Sequence, residues 1–324
     1  MRTFLRLAFL VSFTLCLSPA HAWGFFGHKR INFLAVFLLP PEMLVFYKPH
    51  IAFLEEHAVD PDKRRYAVAE EGPRHYIDMD RYGRYPFDSL PRSWQAASER
   101  FTADSLQTHG IVPWWIQTML HRLTESFRAG DAKRILKLSA ALGHYIADAH
   151  VPLHTSSNHN GQYTNQRVIH GFWESRIPEL LADRHWNFLL QRAVYLQNPL
   201  GFTWDRILES ALAADSVLKL EKELSQRFPP DRRYAFEERN GRLVRQYSTA
   251  YTLAYNRLMG GMVERRMQQS IFGVASFWYT AWINAGQPDL RQLGPVKWDP
   301  ADEAGFEALQ QAWKAASIKG RTHE

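Results

Sequence analysis

Two long stretches of the chain, AKRILKLSAALGHYIADAH from Ala132 to His150 and WDRILESALAADSVLKLEKEL from Trp204 to Leu224, space their apolar residues three and four apart. That spacing keeps one apolar stripe on a helix and fits no strand, whose side chains alternate faces. No convincing series of alternating apolar residues appears elsewhere, so the sequence predicts an all-α fold. Pro40-Pro41, the region from Gly72 to Pro91, the polar run from Thr155 to Arg167, Pro229-Pro230 and the stretch from Gly286 to Pro300 read as the loops between helices. The run IFGVASFWYTAWINA from Ile271 to Ala285 is 15 residues long. A membrane span needs about 20, so a buried core helix is the expectation there. The piece from Asp299 to Lys314 opens with acidic residues, as a surface helix does at its N-terminus.

The first 22 residues read as a secretory leader. Arg2 and Arg6 flank the start of an apolar run, Leu7 to Leu17, and the triplet Ala20-His21-Ala22 supplies small residues around a cleavage point. Cleavage after Ala22 makes Trp23 the first residue of a mature chain, 23–324, long enough for one large domain. The only cysteine, Cys16, leaves with the leader, so a protein exported to the periplasm or beyond carries no thiol and draws its stability from packing and metal. Loss of Arg2 and Arg6 lowers the formal charge from +6 to +4, a mild excess that suits an anionic phosphate substrate without demanding one.

The histidines carry more information. In GHYIADAHVPLH, His144 and Asp148 stand four apart on a helical pattern, one turn from each other on one face. That pair offers two metal ligands. His154 follows after Pro152 has broken the helix, so it can turn back to the same region, and HGFWE supplies a second pair, His170 and Glu174. Imidazoles and carboxylates without thiolates suit a catalytic zinc with open positions. Upstream, HAVDPDKRR holds Asp60 and Asp62, and RHYIDMD holds His75, Asp78 and Asp80. Alone these residues are weak signals, because an Asp before Pro usually serves a turn.

In order, a leading Trp, an early His, an Asp about fifteen residues before His-aromatic-x-Asp, then His-x-x-x-Asp-x-x-x-x-x-His and His-x-x-x-Glu resemble the superfamily of zinc-dependent phospholipases C and single-strand-specific nucleases. The resemblance runs from Trp23 to Glu174. It implies a mainly helical domain with three zinc ions in a cleft between helices. On these residues, one ion would be held by Asp60, His75, His144 and Asp148, and a second by His154, His170 and Glu174. The third would be held by the amine and carbonyl of Trp23, by His28, and by Asp148 as a bridge. Asp60 precedes His75 by fifteen and is the expected ligand, with Asp62 its rival. A free α-amine has a reference pKa near ~8, so a metal displaces its proton far more readily than that of a lysine.

Two zinc ions sharing Asp148 would acidify a bridging water toward ~7 and present hydroxide in line with phosphorus, with Asp60 orienting it. No protein nucleophile is then needed. Asp78 is a candidate for substrate contact. Where nuclease relatives carry an arginine three residues after the Asp, this reading finds Lys63, with Arg64 next to it. Trp114 and Trp115 are candidates to line a lipid or base pocket, against a plain packing role. The remaining histidines, His150 and His159 among them, are read as structural or solvent-facing.

Three functions follow from the pattern. The Glu that ends HGFWE, the 16-residue interval from His154 to His170 and the missing thiol favour a phospholipase C-like hydrolase acting on phospholipid. The five-residue interval from Trp23 to His28 favours a nuclease or 3′-nucleotidase acting on single-stranded nucleic acid, with aromatic stacking on a base. A third reading is a zinc-binding protein without catalysis. Neither oligomeric state nor head-group preference is readable, and no integral membrane segment is expected after processing.

Overall fold

The structure, a computed structural model, describes residues 24–239, 242–315 and 318–319; the leader and Trp23 lie outside the described residues. The first described element is helix α1, Gly24–Val36. Four more long helices complete the bundle: α2, Val112–Arg128, α3, Ala132–Ala149, α4, Pro199–Arg227, and α5, Met262–Asn284; α1 packs against α3 and α5, and α2 lies against α3, α4 and α5. Helix α6, Pro300–Lys314, lies outside it and exposes or half-exposes every residue. One apolar core runs from Ile31 to Leu290, with Trp173 and Trp278 among its largest fully buried side chains.

The expected all-α character holds, and the apolar run from Ile271 is the buried end of α5 rather than a span. No helix of the described residues is long and apolar enough to cross a membrane. The two helices first read from apolar spacing appear as α3 and α4, and an Asp131 side chain accepts from the Arg134 amide to start α3. The element not foreseen is an antiparallel hairpin, β1 at Tyr234–Arg239 and β2 at Arg242–Tyr247. The dipeptide Asn240-Gly241 between two runs rich in aromatic and β-branched residues is its sequence signal.

Close approach of α1 to α3 sets up the functional region. A Cβ on Gly143 would stand 2.0 Å from Asn32 Oδ1, so only glycine lets the helices meet there. Asn32 uses that proximity: its amide donates to the Leu54 and Ala140 carbonyls, each at 3.1 Å. The next residue after Gly143 is His144. Near the other end of α3, Arg266 of α5 donates to the His150 carbonyl at 2.8 Å and pairs with Glu209 at 2.8 Å. A cation at a helix C-terminus satisfies its carbonyls and opposes its dipole. Burial lowers the Arg266 pKa to about 10. His150 therefore serves the helix end, in keeping with its structural reading.

Candidate metal centre

Four elements meet at Asp148. It lies fully buried in the last turn of α3, one turn after His144, whose Nε2 is 3.2 Å from Asp148 Oδ2. From α1, His28 brings Nε2 to 3.5 Å from Asp148 Oδ1 and stacks its ring on that of His144, centroids 3.7 Å apart. His75 ends a short helical turn, Ala69–His75, and reaches Asp148 Oδ2 with Nδ1 at 2.9 Å. His154, on the turn Pro152–Thr155, places Nδ1 3.7 Å from Asp148 Oδ1. Its Nε2 is 3.5 Å from Glu174 Oε2, and His170 Nε2 is 3.0 Å from the same oxygen.

The backbone pins these rings. The segment after His75 extends between two neighbours, with the Ile77 amide donating to the His154 carbonyl at 2.9 Å and the Asp78 amide to the His109 carbonyl at 2.7 Å. Gly110, at a φ of +92°, allows this pairing, since a Cβ there would sit 2.1 Å from the Tyr76 carbonyl oxygen. On the other side, Val168 adopts a φ of +72° just ahead of Ile169–Gly171, the turn that carries His170. A β-branched residue in that region is strained, as is common where geometry serves a site. The π-helical turn Phe172–Arg176 follows and carries Glu174, another deformation that recurs at functional sites.

Three of the imidazoles spend Nδ1 on a backbone carbonyl and turn Nε2 to the cluster. His144 Nδ1 is 2.8 Å from the Ala58 carbonyl, His154 Nδ1 2.5 Å from the His75 carbonyl and His170 Nδ1 3.1 Å from the His159 carbonyl. His75 has Nε2 3.6 Å from Glu71 Oε1, and Glu71 is itself buried under the Tyr145 hydroxyl, Arg74 and Arg64. Outer partners of this kind fix tautomer and orientation in metal sites.

The two upstream aspartates face different neighbours. Asp62, Oδ1 foremost, lies 3.8 Å from His75 Nδ1 and 3.6 Å from His144 Nε2. Asp60, the expected ligand, instead turns to the surface side of the short helix Asp60–Arg64, where His57 Nδ1 is 2.6 Å and Lys63 Nζ 3.3 Å from its carboxylate. Two residues on a helix point about 200° apart, so only one of the pair can face α3. Helix α6 and the segment leading into it back this turn: Phe306 packs on His57 and Trp298 on Phe53, and Lys133 holds Asp299 and Asp302 at 2.6 and 2.7 Å. Counting from Asp62, the residue three places on is the buried Arg65, not Lys63.

Of the other candidates, none joins the cluster. Asp78 Oδ2 faces His109 at 3.8 Å, and Asp80 accepts the Ser157 amide at 2.8 Å, anchoring the loop after His154. Arg64 serves Glu71 and Tyr145. Trp114 donates to the Arg92 carbonyl at 2.8 Å inside the core, and Trp115 lies under Arg74 and Arg122. Both tryptophans are used in packing. Trp23 falls outside the described residues.

Do these residues fit a metal? Three donor sets, His28 with His144 and Asp148, Asp62 with His75 and His144, and His154 with His170 and Glu174, each keep their ligand atoms within 4.8 Å of one another. All are buried. Among the described residues, both nitrogens of His28, both oxygens of Asp62, His75 Nε2 and Asp148 Oδ1 are buried without a hydrogen bond. Buried polar atoms left so are costly, and a cation among them removes the cost. For Asp148, Asp62 and His28 the electrostatics point the same way, whereas against its burial Asp148 and Glu71 raise the pKa of His75. Burial pushes the carboxyl of Asp148 up, but the imidazoles of His144 and His154 outweigh it and hold Asp148 well below the usual carboxylate range. Asp62 is lowered against the same burial by His144, His75 and His28. Burial and then His144 lower the pKa of His28, favouring the neutral ring that a metal needs. The oxygen and nitrogen donors, free of sulfur, suit zinc in a hydrolytic site.

Among curated proteins, none matches the chain. A family model described as zinc dependent phospholipase C matches residues 27–228, a span that contains every one of the clustered side chains from His28 to Glu174 as well as α2, α3 and α4. The match covers well over half of the chain, and with it the chain belongs to the zinc-dependent phospholipase C family.

Proposed function

We propose that this protein is a phospholipase C-like enzyme that hydrolyses the glycerol-side phosphate ester of a phospholipid at the Asp148 centre. The observation that carries the reading is the gathering of three buried donor sets around Asp148, which belongs to one set and lies beside His75, His144 and His154 of the others, within a chain of a zinc phosphodiesterase family. Asp148 would be shared between the ion held with His28 and His144 and the ion held with Asp62 and His75. His154, His170 and Glu174 form the third set. Three ions are proposed, one per set, with the amine and carbonyl of Trp23 completing the set around His28 after cleavage of an export leader.

Zinc held in these sets supplies Lewis-acid polarisation of the phosphoryl group and acidifies water to make the nucleophile. The chain's own part is to aim the donors. The carbonyls of Ala58, His75 and His159 lock three rings, and Glu71 orients the fourth. Asp62 replaces Asp60 as the carboxylate placed to orient the attacking water, because it alone of the two faces the centre. No serine or cysteine nucleophile is required.

The test is a substrate panel. Zinc-loaded protein beginning at Trp23 is incubated with phosphatidylcholine, single-stranded DNA, RNA and a 3′-nucleotide, each with and without chelator. Release of diacylglycerol is expected, abolished by chelator. Cleavage of nucleic acid with no lipid product would select the nuclease reading that the Trp23-to-His28 interval favours. A fully metal-loaded protein inert on all four substrates would leave only the non-catalytic one.

A further inference from the structure

His154 and His170 of the third donor set bracket a loop that one buried side chain fastens. Gln166 sits near the end of the polar run from Thr155, yet it is only 7% exposed. Its Nε2 donates to the Leu218 carbonyl of α4 at 2.8 Å and to Glu221 Oε2 of the same helix at 2.5 Å. The other Glu221 oxygen accepts from the Tyr251 hydroxyl at 2.7 Å. Glu221 is buried as well and forms no ion pair among the described residues. A carboxyl group so placed is costly, and the hydrogen bonds it accepts are what offsets the cost.

The backbone around Gln166 is bent hard. Its amide donates to the Gly161 carbonyl at 2.9 Å, and its carbonyl accepts from the Ile169 amide at 3.1 Å. Gly161, at a φ of +65°, has no room for a Cβ, which would stand 2.7 Å from that of Gln166. On either side the chain enters the left-handed region, Asn165 at a φ of +59° and Val168 at +72°. Asparagine tolerates that region, but a β-branched residue is strained there. Val168 gains little packing in exchange, since its side chain is 42% exposed. Two residues on, the His170 amide donates to Asn160 Oδ1 at 3.4 Å and the ring stands 3.0 Å from Glu174 Oε2. The strain at Val168 is therefore held from outside, by the clasp on Gln166 and by the buried Ile169 beside it.

We infer that Gln166 and Glu221 are positioning residues for the third donor set: their clasp between loop and α4 keeps Val168 left-handed, and that turn aims His170 at the site it shares with His154 and Glu174. Neither residue belongs to a donor set itself. Without the clasp the loop relaxes toward the backbone that valine prefers, and the chain two residues on carries the imidazole away. The inference rests on the reading of three metal sites and adds to it what sets the third.

The test compares zinc-loaded mature chains. The double variant Gln166→Met/Glu221→Met removes both members of the clasp, so neither is left unmatched in the core, and its melting temperature reports whether the fold survives. Gln166→Met alone gives the same comparison should the double variant not fold. Zinc retained per chain against graded chelator is the first readout, and zinc-edge anomalous peaks show which set empties. The double variant is expected to hold the ion at His154, His170 and Glu174 at least about tenfold more weakly, the scale of one or two buried hydrogen bonds, with the ions around Asp148 held as in wild type. Adding Val168→Gly should recover most of that loss, because glycine adopts a φ of +72° without strain. Glu221→Gln, which keeps an acceptor for Gln166, should stay within about threefold of wild type. Equal retention by wild type and the double variant would overturn the positioning role. So would a loss that Val168→Gly deepens, since a clasp that only stiffened the loop would be weakened further by glycine. Hydrogen exchange over residues 159–171 of the same proteins is the second readout, expected to be faster in the double variant. Absence of zinc from this set in wild type would sink the three-ion reading instead, and equal exchange in the two proteins would then still overturn the clasp.

Discussion

Asp148→Asn is expected to remove phosphodiesterase activity by more than about a hundredfold, because residues that only orient a ligand are already worth roughly 10–100-fold in metal sites. The physical reason is its position: His28, His75, His144 and His154 all bring a nitrogen within 3.7 Å of its carboxylate. Asparagine keeps the size and hydrogen-bonding shape but loses the charge that those imidazoles, and the cation they would share, balance. Zinc content measured on the purified variant should fall with activity. Removing one member of a buried charged network costs about 3–5 kcal/mol, so the melting temperature of the metal-free variant belongs beside the rate. Full activity with full zinc in this variant would exclude Asp148 as a shared ligand.

The second large effect separates two neighbours. Asp62→Asn should lower both zinc content and turnover by about the same hundredfold-scale amount, since Asp62 faces His75 and His144 from a buried position with neither oxygen hydrogen-bonded among the described residues. Asp60→Asn should change turnover less than about fivefold, the effect of losing the ~1 kcal/mol that a partly exposed ion pair contributes. Its partners are His57 and Lys63, and neither belongs to a donor set. Metal analysis and steady-state rates on the two variants side by side check this. The reverse order of effects would restore Asp60 to the role that sequence spacing gave it.

That contrast shows what can and cannot be read from sequence. His144 and Asp148 were legible because one helix fixes their separation in space, and His170 with Glu174 survived a change of helix type because the turn still brings them to 3.0 Å. The choice between Asp60 and Asp62 was not legible, because it depends on how the five-residue helix Asp60–Arg64 is rotated against α3, and that rotation is set by packing under Phe306 and Trp298. Glu71 was invisible for a related reason: in Glu70-Glu71 nothing local says which one is buried beneath Arg64, Arg74 and Tyr145. The strained Val168 and the π-helical turn after it come from fitting His170 to the cluster, a tertiary demand with no local pattern. The hairpin escaped because its apolar residues Phe236 and Leu243 lie on the solvent side, opposite to the alternation of a half-buried strand. Its turn dipeptide was the better guide.

The central claim is that zinc sits at three donor sets gathered around Asp148, two of them sharing His144, in a chain whose first residue is Trp23. A zinc-edge anomalous difference map from crystals of the mature protein tests it most directly. The account predicts one peak between His28 and Asp148 beside the Trp23 amine, one among Asp62, His75 and His144, and one among His154, His170 and Glu174. Zinc density elsewhere, with none among these side chains, would contradict it.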